Sequence, residues 1–468
     1  MQALFLGRLA VAALILLSGA EAHAKGPTRT RLVITSPSPA GEAVSMIAEV
    51  DALGSGGAPS GKISFSDGAT PLGSALLNPL GAGQATLATG LIHNCAVTRA
   101  GGAQCWGANR FGELGDGTTI DRLTPVPVAG LSSGVVALAA GAMHSCALTE
   151  AGGVKCWGDN GVLQLGMTGG SQTTPVTVPG LGSGVVAIAA GWWHTCALTR
   201  AGVVMCWGYN NAGQLGADPY EIFFSPPAPV NDPGTVYVGL SATASQSCGL
   251  TKAGAVKCWG GYYGYRPTGL PGLESGFTAV AAGHYHVCAL TLSGGVKCRG
   301  RGPIGDGLST DEERTVTVSG LANEAVAIAA GGGFDCALLR SGGVKCWGSN
   351  YKGVLGDGTT TTRLTPTPVA KLGGSAVAIS SGFNYTCALL APSRTLRCWG
   401  ENETGQLGDG TKSDRLLPVT ALGFVGALRA RARLHAPLGV GRHMLRAQYP
   451  GDVDHPASAS PFVPQEVR

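Results

Sequence analysis

Val135-Val136-Ala137-Leu138-Ala139-Ala140-Gly141, His144-Ser145-Cys146-Ala147-Leu148-Thr149 and Gly152-Gly153-Val154-Lys155-Cys156-Trp157-Gly158 follow one another with almost nothing between them. The second and third runs are short and β-rich, and a glycine-containing turn separates them, the signature of a hairpin. With the turn centred on Ala151, Cys146 falls directly opposite Cys156, and Leu148 opposite Val154 on the same face. Directly opposed strand positions lie within reach of a disulfide. The first run is apolar but small, which suits a strand crowded against a central axis.

The same unit recurs along the chain with a period of about fifty residues. Its markers are paired cysteines: Cys95 with Cys105, Cys146 with Cys156, Cys196 with Cys206, Cys248 with Cys258, Cys288 with Cys298, Cys336 with Cys346 and Cys387 with Cys398. No cysteine is left over. Nine residues separate the partners, ten in the last pair, where Ala391-Pro392-Ser393-Arg394 lengthens the turn. The register predicts seven hairpin disulfides. Structural zinc is disfavoured, because its ligand pairs are normally two to four residues apart. Seven strand-rich units with a tapering inner strand predict an all-β protein whose main body is a seven-bladed β-propeller over 84–424. An open array would leave two sheet edges in need of caps, and no capping repeat is evident.

The motif Gly-x-x-His-x-x-Ala-Leu, then Gly-x-Val-x-x-Trp-Gly, then Gly-Gln-Leu-Gly-Asp-Gly resembles the regulator of chromosome condensation repeat. Repeat seven carries it as Cys398-Trp399-Gly400-Glu401-Asn402-Glu403-Thr404-Gly405-Gln406-Leu407-Gly408-Asp409-Gly410, and repeat one as Cys105-Trp106-Gly107 through Gly115-Asp116-Gly117. The resemblance implies a seven-bladed propeller, and the paired cysteines suggest a secreted bacterial branch. It does not carry over the founding member's nucleotide exchange on a nuclear GTPase, a partner that an exported chain would not meet. Repeats four and five depart from the motif. After Trp259 the Asn-x-x-Gly-Gln-Leu-Gly segment is missing, and Arg299 stands where the other repeats have tryptophan.

The flanks do not fit the repeat. Ile63-Ser64-Phe65-Ser66-Asp67-Gly68 and Met444-Leu445-Arg446-Ala447-Gln448-Tyr449-Pro450-Gly451-Asp452 read as alternating strands with tight turns. They resemble the front and back halves of one bacterial Ig-like repeat domain. The economical organisation is a propeller inserted into a split Ig-like β-sandwich, with halves at 31–83 and 425–468. Two segments are ambiguous between the domains, Gln84–Gly90 and Val425–Ala430. At the start, Arg8, the apolar run Leu9–Leu17 and Ala22-His23-Ala24 read as a signal peptide over 1–24. That predicts an exported chain, extracellular or in the cell envelope, where disulfides persist. No stretch is long and apolar enough to predict a membrane span.

Composition narrows function. Charged residues make up 13 % and the net charge is +4, too little to infer a nucleic-acid surface. No nucleophile elbow, His-Glu-x-x-His motif or phosphate-binding loop is present. His93, His144, His194 and His286 share one repeat position, which Gln246, Phe334 and Tyr385 fill elsewhere. That pattern points to packing between blades rather than to a metal. Asp116, Asp306, Asp357 and Asp409 lie in Gly-Asp-Gly turns, where aspartate caps local backbone. One carboxylate per loop does not make a calcium site. Arg429, Arg431 and Arg433 alternate as one solvated strand face. No cofactor is expected.

One feature stands out from the repeat. Half of all the aromatic residues fall between Trp192 and Tyr285. Trp192, Trp193, Tyr220, Tyr262, Tyr263 and Tyr265 occupy non-repeat positions there, with Phe223 and Phe224 in an insertion. Loop aromatics outside a packing register are characteristic of binding surfaces; the competing reading is that they repair packing around the shortened repeat four. The sequence therefore predicts a monomeric, non-enzymatic binding or adhesion protein that takes a protein or a surface glycan. The alternatives are a polysaccharide hydrolase or lyase and an inhibitor of a secreted enzyme.

Overall fold

The computed structural model describes residues 28–34, 43–52, 59, 62–76, 78–79, 86–217, 223–321, 323–438, 440–451 and 457–467. The proposed signal segment and Tyr220 lie outside them. So do the side chains of Phe224, Arg429, Arg431 and Arg433.

Each cysteine pair sits in a four-stranded antiparallel sheet whose strands follow one another in sequence. In repeat two they are Val135–Ala140, His144–Thr149, Val154–Gly158 and Gln172–Thr177. Cys146 is opposed to Cys156 and Leu148 to Val154. The other pairs take the same register. Cys95 stands opposite Cys105, Cys196 opposite Cys206, and Cys248 opposite Cys258. Cys288 stands opposite Cys298, Cys336 opposite Cys346, and Cys387 opposite Cys398 across the longer turn. Every one of these pairs is disulfide-bonded, so each of the fourteen cysteines has the partner that the hairpin register assigns it. All of them are buried, with Cys206, Cys258, Cys298 and Cys346 on the third strands packed into the cores of their sheets.

The inner strands of successive sheets neighbour one another, and that of repeat seven, Ser375–Ser381, neighbours Leu87–Thr89 of repeat one. The sheets therefore close into a β-propeller. Each core cluster draws on two adjacent sheets, as where Leu148 and Val154 meet Ile188 and Trp207. The small inner-strand residues line an axial cavity of ≈ 130 Å³, walled by Ala139, Ala189, Ser241, Ala282, Ala330 and Ser380.

Neighbouring sheets are tied by two recurring contacts. The histidine position reaches the next repeat: His93 Nε2 to Ser145 Oγ, His144 Nε2 to Thr195 Oγ1 and His194 Nε2 to Ser247 Oγ, each at 2.8 Å. The glycine three residues earlier is required because the ring lies on it, and a Cβ at Gly191 would run into the His194 ring. The tryptophan reaches the preceding repeat, as where Trp157 Nε1 donates to the Glu113 carbonyl at 2.8 Å and Trp207 Nε1 to the Gln164 carbonyl at 2.9 Å. This explains the Gly-Gln-Leu-Gly segment. It presents the carbonyl, and its last glycine leaves room for the neighbour's indole, which a Cβ at Gly166 would meet at 3.0 Å.

Repeat four lacks that segment, and repeat five is where tryptophan gives way to Arg299. The two departures fit each other, since an indole at 299 would have neither acceptor nor seat. Arg299 turns instead to Glu313 at 2.9 Å and Thr315 at 3.1 Å.

The flanks form two further sheets. One has the order Thr28–Ile34, Ala43–Ala52, Leu428–Pro437, Asn78–Pro79. The other joins Lys62–Asp67 to Thr70–Leu76 on one side and to Gly441–Tyr449 on the other, and Gly441–Tyr449 also pairs with Ser458–Ala459 and Val463–Val467. Phe65 is opposed to Ala447 across nearly the whole length of the chain. Ile34, Val44, Met46, Ile63, Phe65, Leu445 and Tyr449 share one core between the two sheets. The ambiguous segments divide cleanly. Leu87–Thr89 is the inner strand of repeat one, whereas Leu428 opens a sandwich strand just after Gly426 bridges to Thr98.

Candidate functional site

In a four-strand meander the first-to-second and third-to-fourth loops lie at one end, and the second-to-third turns at the other. Chain entry at Leu87 and exit after Thr420 both fall at the turn end, so the sandwich is attached there. The loop end is left open.

The loop end carries a continuous run of rings. Trp192 and Trp193 occupy the first loop of repeat three, 5.6 Å apart and edge to face. Trp193 leads outward to Tyr209 at 6.2 Å and then to Phe223 at 5.6 Å. Trp192 leads inward, to Phe383 of repeat seven at 5.5 Å and His284 of repeat five at 5.0 Å. His284 stacks on Tyr285 with centroids 4.1 Å apart and planes 7° off parallel, and Tyr285 leads to Tyr262 at 6.2 Å. Trp192 and Phe383 also line the axial cavity, so these rings lie across its mouth.

Backbone bonds between first loops hold the centre of this arrangement. Ala142 N–H donates to the Trp192 carbonyl at 3.1 Å, Trp192 N–H to that of Ala244 at 3.1 Å, and Gly332 N–H to that of Phe383 at 2.9 Å. Burial lowers the pKa of His284, with the nearby His286 adding to the effect, which keeps the ring neutral among its aromatic neighbours. The outer rings are the open ones: Tyr262 is 69 % exposed, Tyr285 50 % and Phe223 47 %, while Trp192 and Trp193 are half-buried.

The aromatic residues expected to act together thus separate. Trp192, Trp193 and Tyr262 belong to the run. Tyr263 packs on the core of repeat four, and burial, with Glu313 nearby, pushes its hydroxyl up to about 12. Tyr265 crosses to repeat three, where a Cβ on Gly213 would meet its ring at 2.8 Å. In repeats six and seven the corresponding glycines, Gly353 and Gly405, face Leu416 and Leu123 from the fourth strand of the next sheet. The fourth strand of repeat four is reduced to Thr268–Gly269, and Tyr265 fills the place it leaves. Tyr209, His284, Tyr285 and Phe383 joined the run without being singled out beforehand. Phe383 had no sequence signal, since ring closure alone brings repeat seven to Trp192.

The histidine and aspartate positions are occupied by structure. Burial drives His93 down to about 4 and His144 and His194 to about 3, so they stay neutral. His286 differs, bonding Asp335 at 2.8 Å; burial works against its charge, yet Asp335 raises its pKa overall. Cys288 beside them is bonded to Cys298, so this group offers no thiolate to a metal. The Gly-Asp-Gly aspartates are salt-bridged: Asp116 to Arg122 at 2.8 Å, Asp357 to Arg363 at 2.7 Å and Asp409 to Arg415 at 2.7 Å. Each of the three also accepts from a buried asparagine seven residues earlier, as Asp116 does from Asn109. Next to Phe383, Asn384 donates to Glu401, whose carboxyl is raised by burial.

Comparison with known proteins agrees with this architecture. Residues 101–148, 151–198 and 341–389 match the regulator of chromosome condensation (RCC1) repeat. A second description of the same repeat matches 135–164, 185–214, 277–303, 325–354 and 376–406. These residues thus carry RCC1 repeats, within a β-propeller fold. Among curated relatives, a probable E3 ubiquitin-protein ligase HERC4 of Rattus norvegicus is 31% identical over 195 residues, 38% of this chain and 18% of its own length. Protein RCC2 of Homo sapiens is 42% identical over 82 residues, 17% of this chain and 15% of its own. The chain spans less than a fifth of the length of either relative. Prp20p of Saccharomyces cerevisiae, studied for binding Gsp1p and histones, superposes with a TM-score of 0.60 at 21% identity, covering 72% of this chain and 91% of that one. Human WBSCR16 gives 0.58 at 21%, covering 68% and 90%. At these identities the likeness concerns the fold. No described helix is long and apolar enough to cross a membrane.

Proposed function

We propose that the protein is an exported, non-enzymatic binding protein, a seven-bladed propeller over 84–424 inserted between the halves of an Ig-like domain at 31–83 and 425–468. The disulfides staple each blade, and the ring-bearing end serves as the platform for a protein or surface-glycan partner. The carrying observation is the aromatic run, anchored at its centre by backbone bonds and open at Tyr262, Tyr285 and Phe223, on the end away from the sandwich. Rigid rings bury much area at little entropic cost, and truncating a central one costs about 2 kcal/mol or more of binding. The Ig-like domain acts as a spacer that presents this end outward. Prp20p, studied for binding Gsp1p and histones, fits a binding role by analogy of fold.

The test compares wild type with a Trp193→Ala/Tyr262→Ala double variant, using proteins of the producing cell's envelope and medium and an array of immobilised glycans. The reading requires a ligand held by wild type and lost by the variant while the melting temperature stays put. Capture that survives the double substitution places the platform elsewhere.

A further inference from the structure

The turn end of the propeller has a different surface, and its charges do not balance. Its acidic side chains are each met by a cation. Glu150 bridges to Arg29 of the sandwich at 2.6 Å, Asp232 to Lys257 at 2.9 Å and Glu324 to Lys345 at 3.8 Å, while Glu274 has Lys297 beside it. Further basic residues remain at the same end. Arg200 and Arg340 are exposed on the second-to-third turns of repeats three and six, and Lys371 is exposed on the connection into repeat seven. Lys155 stands half-buried where the third strand of repeat two begins. Among the described residues, none of these four side chains has a hydrogen-bond or ion-pair partner. At the loop end Arg122, Arg314, Arg363 and Arg415 are spent on aspartates of their own repeats, and the exposed Arg266 and Arg301 share that end with the exposed carboxylates Asp311 and Glu312.

We propose that this end binds a linear anionic polysaccharide, one carrying carboxylate or sulfate groups, independently of the aromatic platform. The placement of the cations selects the ligand's shape. They belong to repeats two, three, six and seven, so they ring the axis rather than cluster at one spot. The sandwich is attached at this same end, through the Thr98–Gly426 bridge and the Arg29–Glu150 pair. A planar bilayer is held off by the sandwich, whereas a flexible chain can pass around its base. Single-stranded nucleic acid would call for stacking rings among the cations. Among the described residues, the exposed aromatic side chains of the propeller are instead Phe223, Tyr262, Tyr265, Tyr285 and Tyr351, all on loop-end segments. Guanidinium forks match carboxylate and sulfate oxygens, and a long polyanion gains from counterion release, which makes binding steeply salt-dependent.

The experiment titrates the full, disulfide-bonded chain with fluorescently labelled heparin fragments, read by anisotropy across a salt series. Binding should weaken on the order of tenfold or more between about 50 and 200 mM salt, as expected for several charge contacts. The Arg200→Glu/Arg340→Glu/Lys371→Glu variant should lose about tenfold or more at low salt with an unchanged melting temperature, because all three side chains are exposed and unpaired. Trp193→Ala/Tyr262→Ala should bind heparin as wild type does, which separates this site from the aromatic platform. Undiminished binding by the triple variant overturns the proposal. Equal binding of neutral dextran, or tighter binding of anionic vesicles or of an oligonucleotide of matched charge, overturns it as well.

Discussion

The seams between repeats one and two and between repeats four and five are made by the same fold with different parts. At the first, Trp157 is fully buried, donates to the Glu113 carbonyl and sits over Gly115. At the second, the segment that would supply carbonyl and glycine is absent, Arg299 replaces the indole, and Tyr263 packs beside it. A deletion in one repeat is thus answered by a substitution in the next. The surplus aromatic residues around it have two fates. Those that touch the vacated strand position are packing, and those that reach the axial loops extend the surface run.

The largest expected effect tests that contrast directly. Trp157→Ala should cost about 3–5 kcal/mol, as a buried indole is lost and the Glu113 carbonyl keeps only the Ser145 hydroxyl as donor. Arg299→Ala should cost only about 1 kcal/mol, because its partner Glu313 is already partly exposed to water. Denaturant unfolding of the oxidised proteins gives both values, and equal losses would dissolve the distinction between the seams.

The disulfides should ignore it. The register is the same in repeats three and five. Replacing both Cys196 and Cys206 by serine, or both Cys288 and Cys298, should therefore cost about 2–3 kcal/mol in the chain-entropy model. A much smaller loss in repeat five would mean that its hairpin is already loose.

Acid stability sharpens the comparison through the histidines. His144 has a folded pKa of about 3 against an ordinary 6.5, so the unfolded chain takes up the proton first. Its contribution to stability is lost as pH falls below 6.5 towards about 3, by up to about 1.4 kcal/mol per pH unit. His144→Gln, the residue that repeat four has at this position, should flatten that limb. His286 has the opposite sign. Its raised pKa stabilises the fold below the unfolded value, and the gain is lost as pH rises through the folded one. Asp335→Ser would rebuild this seam in the image of the first three, and unfolding curves between pH 4 and 7 should then steepen on the acid side by about the same slope.

The smallest effect separates packing rings from surface rings. Tyr265→Ala should lose about 1–2 kcal/mol, because its ring stands in for a strand, whereas Tyr262→Ala should stay within about 0.5 kcal/mol. Equal losses would return Tyr262 to the packing set.

Much of this was legible in the chain because it is local and periodic. The cysteine spacing set the hairpin register, since side chains in a strand alternate with period two and a shift of one residue would part every pair. The small inner runs, recurring in phase, pointed to strands converging on an axis. Seeing that Phe65 and Ala447 belong to one sheet needed only the matching halves of a broken pattern. Contacts made by ring closure were not legible. Phe383 meets Trp192 because repeats three and seven face one axis, and nothing near either residue announces it. Arg299 reads as an oddity until the missing loop of the previous repeat is set against it. The repeating unit, its staples and its all-β character follow from local residue patterns. Which aromatic residues are mortar and which are surface follows from the folded ring, because those roles depend on neighbours supplied by other repeats.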